Sequence, residues 1–322
     1  MTSRQVFHFA DTGRPRPKHR YPQGNKIIYN IPHHGFSQLV DPAIIADRDN
    51  NIEFWASAIE DKPNNVDLGL STIYMDALYN TASDPDVAHP ETWDCWVASM
   101  QIQHAMFIMS RNTRETHLQF LIYHKVRHTK GIGPFYAANA SNWLDAFFLT
   151  CVCRDVQRRK DLCEIPVEFL KECGESQGTE YNPFVYYWVS ALQALVLNRP
   201  SLGEDLLTAM ELSDPDRADF GDADSLNMIT FPQLNTLLRL AEGDKDKFNQ
   251  ALAEGIGLFR QYWTSDEDRI KRITSTIPLG LLALACIAHD SSHYAPDFTL
   301  EVESGYLPKY LVNGAWHGDT PL

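Results

Sequence analysis

The stretch NPFVYYWVSALQALVLNRPSLGEDLLTAMEL, residues 182–212, decides the fold class of this chain. Its first half carries apolar residues three and four positions apart, which is the pattern of a helix with one buried face. NRPSLG then interrupts the pattern with residues that are typical of a turn, and EDLLTAMEL resumes it. The stretch therefore predicts two antiparallel helices joined by a tight turn.

The same arrangement occurs on both sides of this stretch. NWLDAFFLTCVCRD leads through QRRK to DLCEIPVEFLKEC upstream, and SLNMITFPQLNTLLRLA turns at EGDKDK into FNQALAEGIGLFRQYW downstream. The predicted turns fall near Asp155, Arg199 and Gly243, a spacing of about 44 residues that is typical of stacked helix pairs. The sequence therefore predicts a mainly all-α fold, with antiparallel helix pairs stacked as an α-solenoid-like array and a less regular N-terminal part.

We divide the chain into three regions. Residues 1–50 are expected to form an irregular arm, because GRPRPKHRYPQG concentrates proline, glycine and positive charge. Residues 51–138 read as an N-terminal helical region, and alternation within THLQFLIYHKVRHTKGIGPFY permits a short hairpin near 115–130. Residues 139–322 form the helix-pair region.

The last apolar segment, SDEDRIKRITSTIPLGLLALACIAHD, is predicted to be one helix capped by Ser265 and kinked at Pro278. LGLLALACIA within it is too short to span a membrane. We expect it to form the buried centre of the C-terminal part.

Acidic residues outnumber basic ones by 42 to 28, which gives a formal net charge of −14. Such a charge repels phosphate backbones and argues against nucleic acid as the direct ligand, whereas it attracts a basic protein. The acidic residues crowd in SDPDRADFGDAD, and the candidate partner-binding residues are Asp214, Asp216, Asp219, Asp222 and Asp224. The alternatives are that this loop is merely solvated, and that the net charge serves solubility.

The cysteines and the N-terminus bear on the cellular compartment. Cys95, Cys151, Cys153, Cys163, Cys173 and Cys286 form no CxxC pair, which indicates reduced and mostly buried thiols. MTSRQVFHF lacks the basic and apolar segments of a secretion signal, and no apolar run reaches the length of a membrane span. We expect a cytoplasmic protein that does not enter a membrane.

Histidines are the best candidates for chemistry. His117, His124 and His128, with His104 one helix earlier, form a group in which the spacing of the last two suits metal ligands. The HExxH, GxSxG, GxxxxGK[ST] and GxGxxG motifs are all absent. We therefore predict no metal, no cofactor and no catalytic residue, and we interpret the loop NIPHHGF, with His33 and His34, as a turn.

Three tryptophans recur in successive helix pairs. Trp143, Trp188 and Trp263 each lie on an apolar helical face, which favours a place in the core over a ligand cage. We expect all three to be largely buried.

Several segments, read in order, resemble the immunity protein 49 family of polymorphic-toxin loci in bacteria. The similar segments are SNWLDAFFLTCVCRD, LCEIPVEFL, YYWVSALQALVLNRPSLGEDLLTAMELSDP, FNQALAEGIGLFRQYWTSDEDR, PLGLLALACIAHD and VESGYLPKYLVNGAWHGDTP. They extend from about Asn139 to the C-terminus, whereas residues 1–90 match less well. The proline-rich arm and the HKVRH stretch depart from the family pattern.

The resemblance implies an all-helical, non-enzymatic protein that neutralises a cognate protein toxin by direct binding. It supplies no catalytic residues to carry over. Two alternatives remain open from the residues themselves: a metal- or histidine-dependent enzyme, and a helical scaffold or regulator in a biosynthetic or secretion locus. The oligomeric state stays undetermined.

Overall fold

A computed structural model describes residues 29–36 and 39–318. The proline-rich segment GRPRPKHRYPQG, on which the prediction of an irregular arm rests, lies outside the described residues.

Helices form most of the described structure. In chain order they are α1 (Pro42–Asp61), α2 (Val66–Ser83), α3 (Pro90–Arg111), α4 (Ala140–Cys153), α5 (Val156–Cys163), α6 (Val167–Glu175), α7 (Pro183–Leu197), α8 (Leu202–Leu212), α9 (Ala223–Ser225), α10 (Phe231–Glu242), α11 (Lys245–Trp263), α12 (Leu279–Ser291) and α13 (Lys309–Val312). Short 3₁₀ turns cover Pro63–Asn65 and Ile273–Ser275, and a π-helix covers Leu226–Thr230. The predicted all-α fold is therefore confirmed.

Four short strands accompany the helices. β1 (Tyr29–Ile31) pairs in parallel with β4 (Val302–Ser304), and this pairing joins the N-terminal segment to the C-terminal one. β2 (His117–Ile122) and β3 (Lys125–Lys130) form an antiparallel hairpin, as the alternation in this segment predicted. Arg127 fixes the hairpin to α1 through ion pairs with Glu53, at 2.6 Å, and with Glu60, at 3.4 Å.

The predicted pairs α7–α8 and α10–α11 are present, but the prediction of one helix over DLCEIPVEFLKEC was wrong, because this segment is divided into the end of α5 and α6 before Pro166. The first helices of all three pairs end in the same way. Arg154, Asn198 and Gly243 adopt positive φ angles of 60°, 54° and 70° directly after α4, α7 and α10. This left-handed conformation ends a helix and turns the chain back. QRRK, however, lies inside α5 instead of forming the turn, because the Asp155 side chain caps that helix by accepting from the Arg158 N–H at 2.9 Å.

α12 lies at the centre of the C-terminal part, where it packs against α4, α10, α11 and α13. Ile273–Ser291 is long and apolar enough to cross a membrane, yet most of it is buried inside the fold. The prediction of one kinked helix from Ser265 was wrong, because α12 begins only after Pro278. The Asp266 side chain accepts from the N–H groups of Asp268 and Arg269 and closes a local turn, which competes with a helix.

The N-terminal region is more regular than expected. α1 begins at Pro42 and not near Asn51, and β1 also lies within the segment expected to be irregular. Asp41 caps α1 by accepting from the Ala43 and Ile44 N–H groups at 3.0 and 3.4 Å. A capping aspartate followed by proline is a strong local start signal for a helix.

The predicted core residues are mostly buried. Trp143 and Trp188 are buried, and the Trp143 indole N–H donates to the Leu162 carbonyl at 2.9 Å. Trp263 is only half-buried, since α11 ends there. All six cysteines are buried free thiols.

Candidate functional site

The acidic loop, residues 213–224, runs from the end of α8 into α9, which contains Asp224, on the surface of the molecule. Its five predicted partner-binding residues, Asp214, Asp216, Asp219, Asp222 and Asp224, are all exposed. They lie between one helix pair and the next, so the loop forms an edge of the stack that a protein partner can reach.

Side chains on two neighbouring elements hold this loop in place. Asn182, at the start of α7, donates from Nδ2 to the Phe220 carbonyl at 2.7 Å and accepts the Phe220 N–H at 3.0 Å. The Leu226 side chain lies under Gly221, whose φ angle of 100° suits glycine. The loop is therefore anchored to α7 at one point and to the π-helix at another.

The five aspartates do not play equal parts. Asp214 accepts the Asp216 N–H at 2.9 Å, and Asp222 accepts the Ser225 N–H at 2.8 Å and caps α9. Within the described structure the carboxylates of Asp216, Asp219 and Asp224 have no hydrogen bond or ion pair. Two of the five thus shape the loop, and three present charge to solvent.

Phe220 adds an apolar group to this charged surface. Its side chain is 45% exposed, although Asn182 holds the Phe220 backbone by two hydrogen bonds. An aromatic side chain held on a fixed backbone is a suitable anchor for a protein interface. The acidic loop thus combines unpaired charge with an exposed ring.

The predicted histidine group is not brought together. His124 lies in the hairpin turn with a φ angle of 63°, and its Nε2 is 3.2 Å from an Asp94 carboxylate oxygen. His117 faces Lys130 across the hairpin, and His128 faces Gln119. Sequence spacing suggested a shared face for His124 and His128, but the two-residue turn moves His124 off the strand.

His33 and His34 converge where a simple turn was expected. Their rings stack at 4.3 Å, and His34 Nδ1 lies 2.6 Å from the Tyr306 hydroxyl. His34 Nε2 lies 3.2 Å from the hydroxyl of Ser275, which is fully buried. Burial lowers the pKa of both histidines, and that of His33 falls to about 3. The buried serine beside these histidines joins the N-terminal segment to the turn before α12, where it is not accessible to a substrate.

His104 lines an open cleft of about 1030 Å³ between α3, the hairpin and α5. Its Nε2 lies 3.2 Å from Asp161, and burial lowers the pKa of His104 in spite of that carboxylate. None of the described residues that line the cleft is a serine, threonine, cysteine or tyrosine. The pair can accept a proton, but among the described residues the cleft places no hydroxyl or thiol nucleophile beside it.

Arg154 joins the end of α4 to the C-terminal segment. Its guanidinium is buried and donates to the carbonyls of Val152, Leu311 and Val312, and its Nε lies 3.2 Å from Asp290 on α12. Burial alone would raise the pKa of Asp290, but Arg154 and His289 outweigh it and hold that pKa below its usual range. We call Arg154 with these partners the Arg154 bracket.

One group of side chains in the described residues has the spacing of metal ligands. Ligand atoms of His289, Asp290 and His293 all lie within 4.8 Å of one another at the end of α12. Asp290 already belongs to the Arg154 bracket, so a cation here would compete with a buried guanidinium. These three residues were not among the candidate metal ligands predicted from the sequence.

A smaller pocket of about 260 Å³ lies between α4, α7, the π-helix, α10, α11 and α12. Its lining is mostly apolar, but it includes Asp145 of α4. Sequence reasoning missed this residue, although an aspartate inside the apolar run NWLDAFFL was a visible signal. The pocket begins just beyond the acidic loop, since Met228 and Ile229 form part of its wall.

Comparison of the sequence with known protein families assigns the chain to one of them. The family model described as Immunity protein 49 matches residues 84–311, which is most of the chain and includes the hairpin as well as α4 to α12. No curated protein and no solved structure matches it. The resemblance stated from the sequence is confirmed, and the chain belongs to the immunity protein 49 family.

Proposed function

We propose that this protein neutralises a cognate protein toxin by binding it directly, and that the acidic loop is part of the contact surface. Family membership supports an immunity role in general. A cytoplasmic location, where the toxin would act, belongs to the same proposal. The observation that carries the contact surface is a fixed loop with three unpaired carboxylates and an exposed phenylalanine.

The charge of the loop favours a basic partner. From Glu211 to Asp224 the segment holds six acidic residues and one arginine, which gives a local charge of −5. A toxin that acts on nucleic acid or nucleotides presents basic residues around its active site, because its substrate is anionic. Opposite charges on the two surfaces accelerate encounter and orient the partners.

Because the loop is anchored, a role in binding a partner is favoured over a role as a merely solvated connection. A flexible acidic segment loses conformational entropy when a partner orders it, and this loss weakens the complex. The Asn182 and Leu226 contacts already order the loop in the free protein. The binding surface is therefore largely preorganised.

The experiment that tests the proposal titrates purified protein against the toxin domain encoded beside its gene and measures the remaining toxin activity. Direct binding predicts a stable complex in size-exclusion chromatography and full inhibition only at about one protein per toxin. Full inhibition at a small fraction of that ratio would instead identify an enzyme that modifies the toxin. Absence of both complex and inhibition would contradict the immunity assignment for this pair.

A further inference from the structure

Asp145 is the acidic residue in the mostly apolar pocket described above. Its side chain reaches water, but within the described structure its carboxylate has no hydrogen bond and no cationic partner. The surrounding protein removes enough hydration to raise the pKa of Asp145 to about 7. An opposite charge placed beside such a carboxylate would favour its ionised form.

Elsewhere in the fold, three aspartates that are less exposed than Asp145 have basic partners. Asp155 pairs with Arg158, Asp161 with His104, and Asp290 with Arg154. Water can satisfy an exposed carboxylate, so Asp145 needs no partner for folding, but its place in a mostly apolar pocket leaves it open to a cation from outside the chain.

The walls of the pocket suit a cation on an apolar stem. Phe148, Trp188 and Phe259 contribute aromatic rings, with the Phe148 and Trp188 centroids 6.0 Å apart. Aromatic faces attract ammonium and guanidinium groups, and aliphatic walls cover the methylene stem behind them. The volume of about 260 Å³ is below the usual range of small-molecule sites, about 300–1,000 Å³, and suits a single side chain.

The position of the pocket links it to the acidic loop. Leu226 supports Gly221 of the loop from below, and two residues later Met228 enters the pocket wall. Both belong to the π-helix, an irregular turn that is frequent at functional sites. A protein that covers the loop can therefore reach the pocket with one of its own side chains.

We infer that this pocket takes a lysine or arginine side chain of the toxin, with Asp145 as its counter-ion. The inference rests on the proposed function, because it names the toxin as the source of the cation. It makes Asp145 a specificity-determining residue: the acidic loop attracts a basic surface, and the pocket selects one that projects a basic side chain at the right place.

The chemistry of the pocket can be tested without the toxin. Indole N–H signals in nuclear magnetic resonance spectra would be followed while Nα-acetyl-lysine amide, Nα-acetyl-arginine amide or the uncharged Nα-acetyl-norleucine amide is added. Trp188→Phe identifies the Trp188 signal. We expect the Trp188 signal to shift saturably with one of the charged compounds and not with norleucine. Equal shifts with norleucine would overturn the role of Asp145.

Two isosteric variants sharpen this test. Asp145→Asn should weaken binding of the charged compound at least about tenfold, because a charge-assisted contact is lost. Asp297→Asn is the matched control, since Asp297 is exposed beyond the other end of α12 and should bind as the wild type does. Unfolding temperatures of both variants verify that they fold. Unchanged binding by Asp145→Asn would overturn the inference.

Toxin affinities then distinguish a failure of this inference from a failure of the proposed function. We expect the toxin to bind Asp145→Asn at least about tenfold more weakly than it binds the wild type and Asp297→Asn. Equal toxin affinity for all three would leave toxin binding intact and overturn the pocket as its subsite. A wild-type protein that takes up the lysine compound but binds no toxin would contradict the proposed function and assign the pocket to free amines instead.

Discussion

The Arg154 bracket and the acidic loop are both rich in charge, but they use it in opposite ways. In the bracket a buried guanidinium contacts three carbonyl groups and one carboxylate, and these contacts join α4, α12 and the residues of α13. In the loop three carboxylates extend into solvent without partners. The comparison separates charge that the fold satisfies, which holds elements together, from charge that the fold leaves to solvent, which the proposed function assigns to a partner.

The largest expected effect concerns the bracket. Arg154→Met should lower the free energy of unfolding by about 3 kcal/mol or more, because it leaves Asp290 and the α13 carbonyls without their donor. Urea unfolding measures this loss. Arg217→Met is the control, since Arg217 forms an exposed ion pair with Glu211 and should cost less than about 1 kcal/mol.

A double variant tests whether the lost pairing is the cause. Replacing Asp290 by Asn in the Arg154→Met protein removes the uncompensated charge and should recover part of the stability. If the second change instead destabilises the protein as much as it does in the wild type, the two residues are not coupled. In that case the bracket is not held by this ion pair.

A smaller effect is expected where the acidic loop is anchored. Asn182→Ala removes both hydrogen bonds to the Phe220 backbone and should cost about 1 kcal/mol. Hydrogen exchange at the Phe220 amide should accelerate, because that N–H loses its acceptor. Asn64→Ala, at an exposed position in the 3₁₀ turn before α2, is the control. Unchanged exchange at Phe220 would show that something else orders the loop.

A pH-dependent effect is expected at the pocket. Desolvation by the pocket walls raises the pKa of Asp145 to about 7 although the residue is exposed, whereas an aspartate in an unfolded chain titrates near about 3.9. Between these values the folded state binds more protons than the unfolded state, so stability falls as the pH rises. Asp145→Asn removes this contribution and should make stability depend less on pH.

The free energy of unfolding, measured at about pH 5 and about pH 8, would test this expectation. The wild type and Asp297→Asn should lose more stability between the two values than Asp145→Asn does. An equal loss in all three proteins would show that Asp145 is ionised at little cost and that the pocket walls do not desolvate it.

The smallest effect on stability is expected in the acidic loop itself. Replacing Asp216, Asp219 and Asp224 together by asparagine should change the free energy of unfolding by no more than about 0.5 kcal/mol, because these carboxylates form no hydrogen bond or ion pair with the described residues. Asp222 is kept, since it caps α9. A large loss of stability would reveal contacts that hold the loop and would count against a free binding surface.

The contrast between local patterns and long-range contacts explains which features could be predicted from the sequence. Helix pairs, their turns and the hairpin follow from periodicity and turn residues, which are local properties. The acidic loop was visible because five aspartates follow one another between two helices. The Arg154–Asp290 pair joins residues 136 positions apart, and the pocket joins five α-helices, so no local pattern predicts either as a whole, although the aspartate in NWLDAFFL is visible by itself.

Two predictions from the sequence, the shared histidine face and the long helix after Ser265, were wrong for the same physical reason. His124 and His128 share a face only if one strand continues through both, but the turn at Tyr123 and His124 intervenes. The segment after Ser265 has helical composition, yet the Asp266 side chain closes a turn instead. In both places short-range hydrogen bonding overrode a periodic pattern.

The measurement that tests the central claim most directly is the association rate of the toxin at low and high salt. It would compare the wild type, the loop triple variant Asp216→Asn, Asp219→Asn and Asp224→Asn, and a control triple variant Asp61→Asn, Asp86→Asn and Asp297→Asn. Both triples change the net charge from −14 to −11 at exposed aspartates, but only the first lies in the loop. The account predicts a loop variant that associates roughly tenfold more slowly at low salt and depends less on salt, and a control close to the wild type. Equal rates and salt dependences for the two triple variants would contradict it.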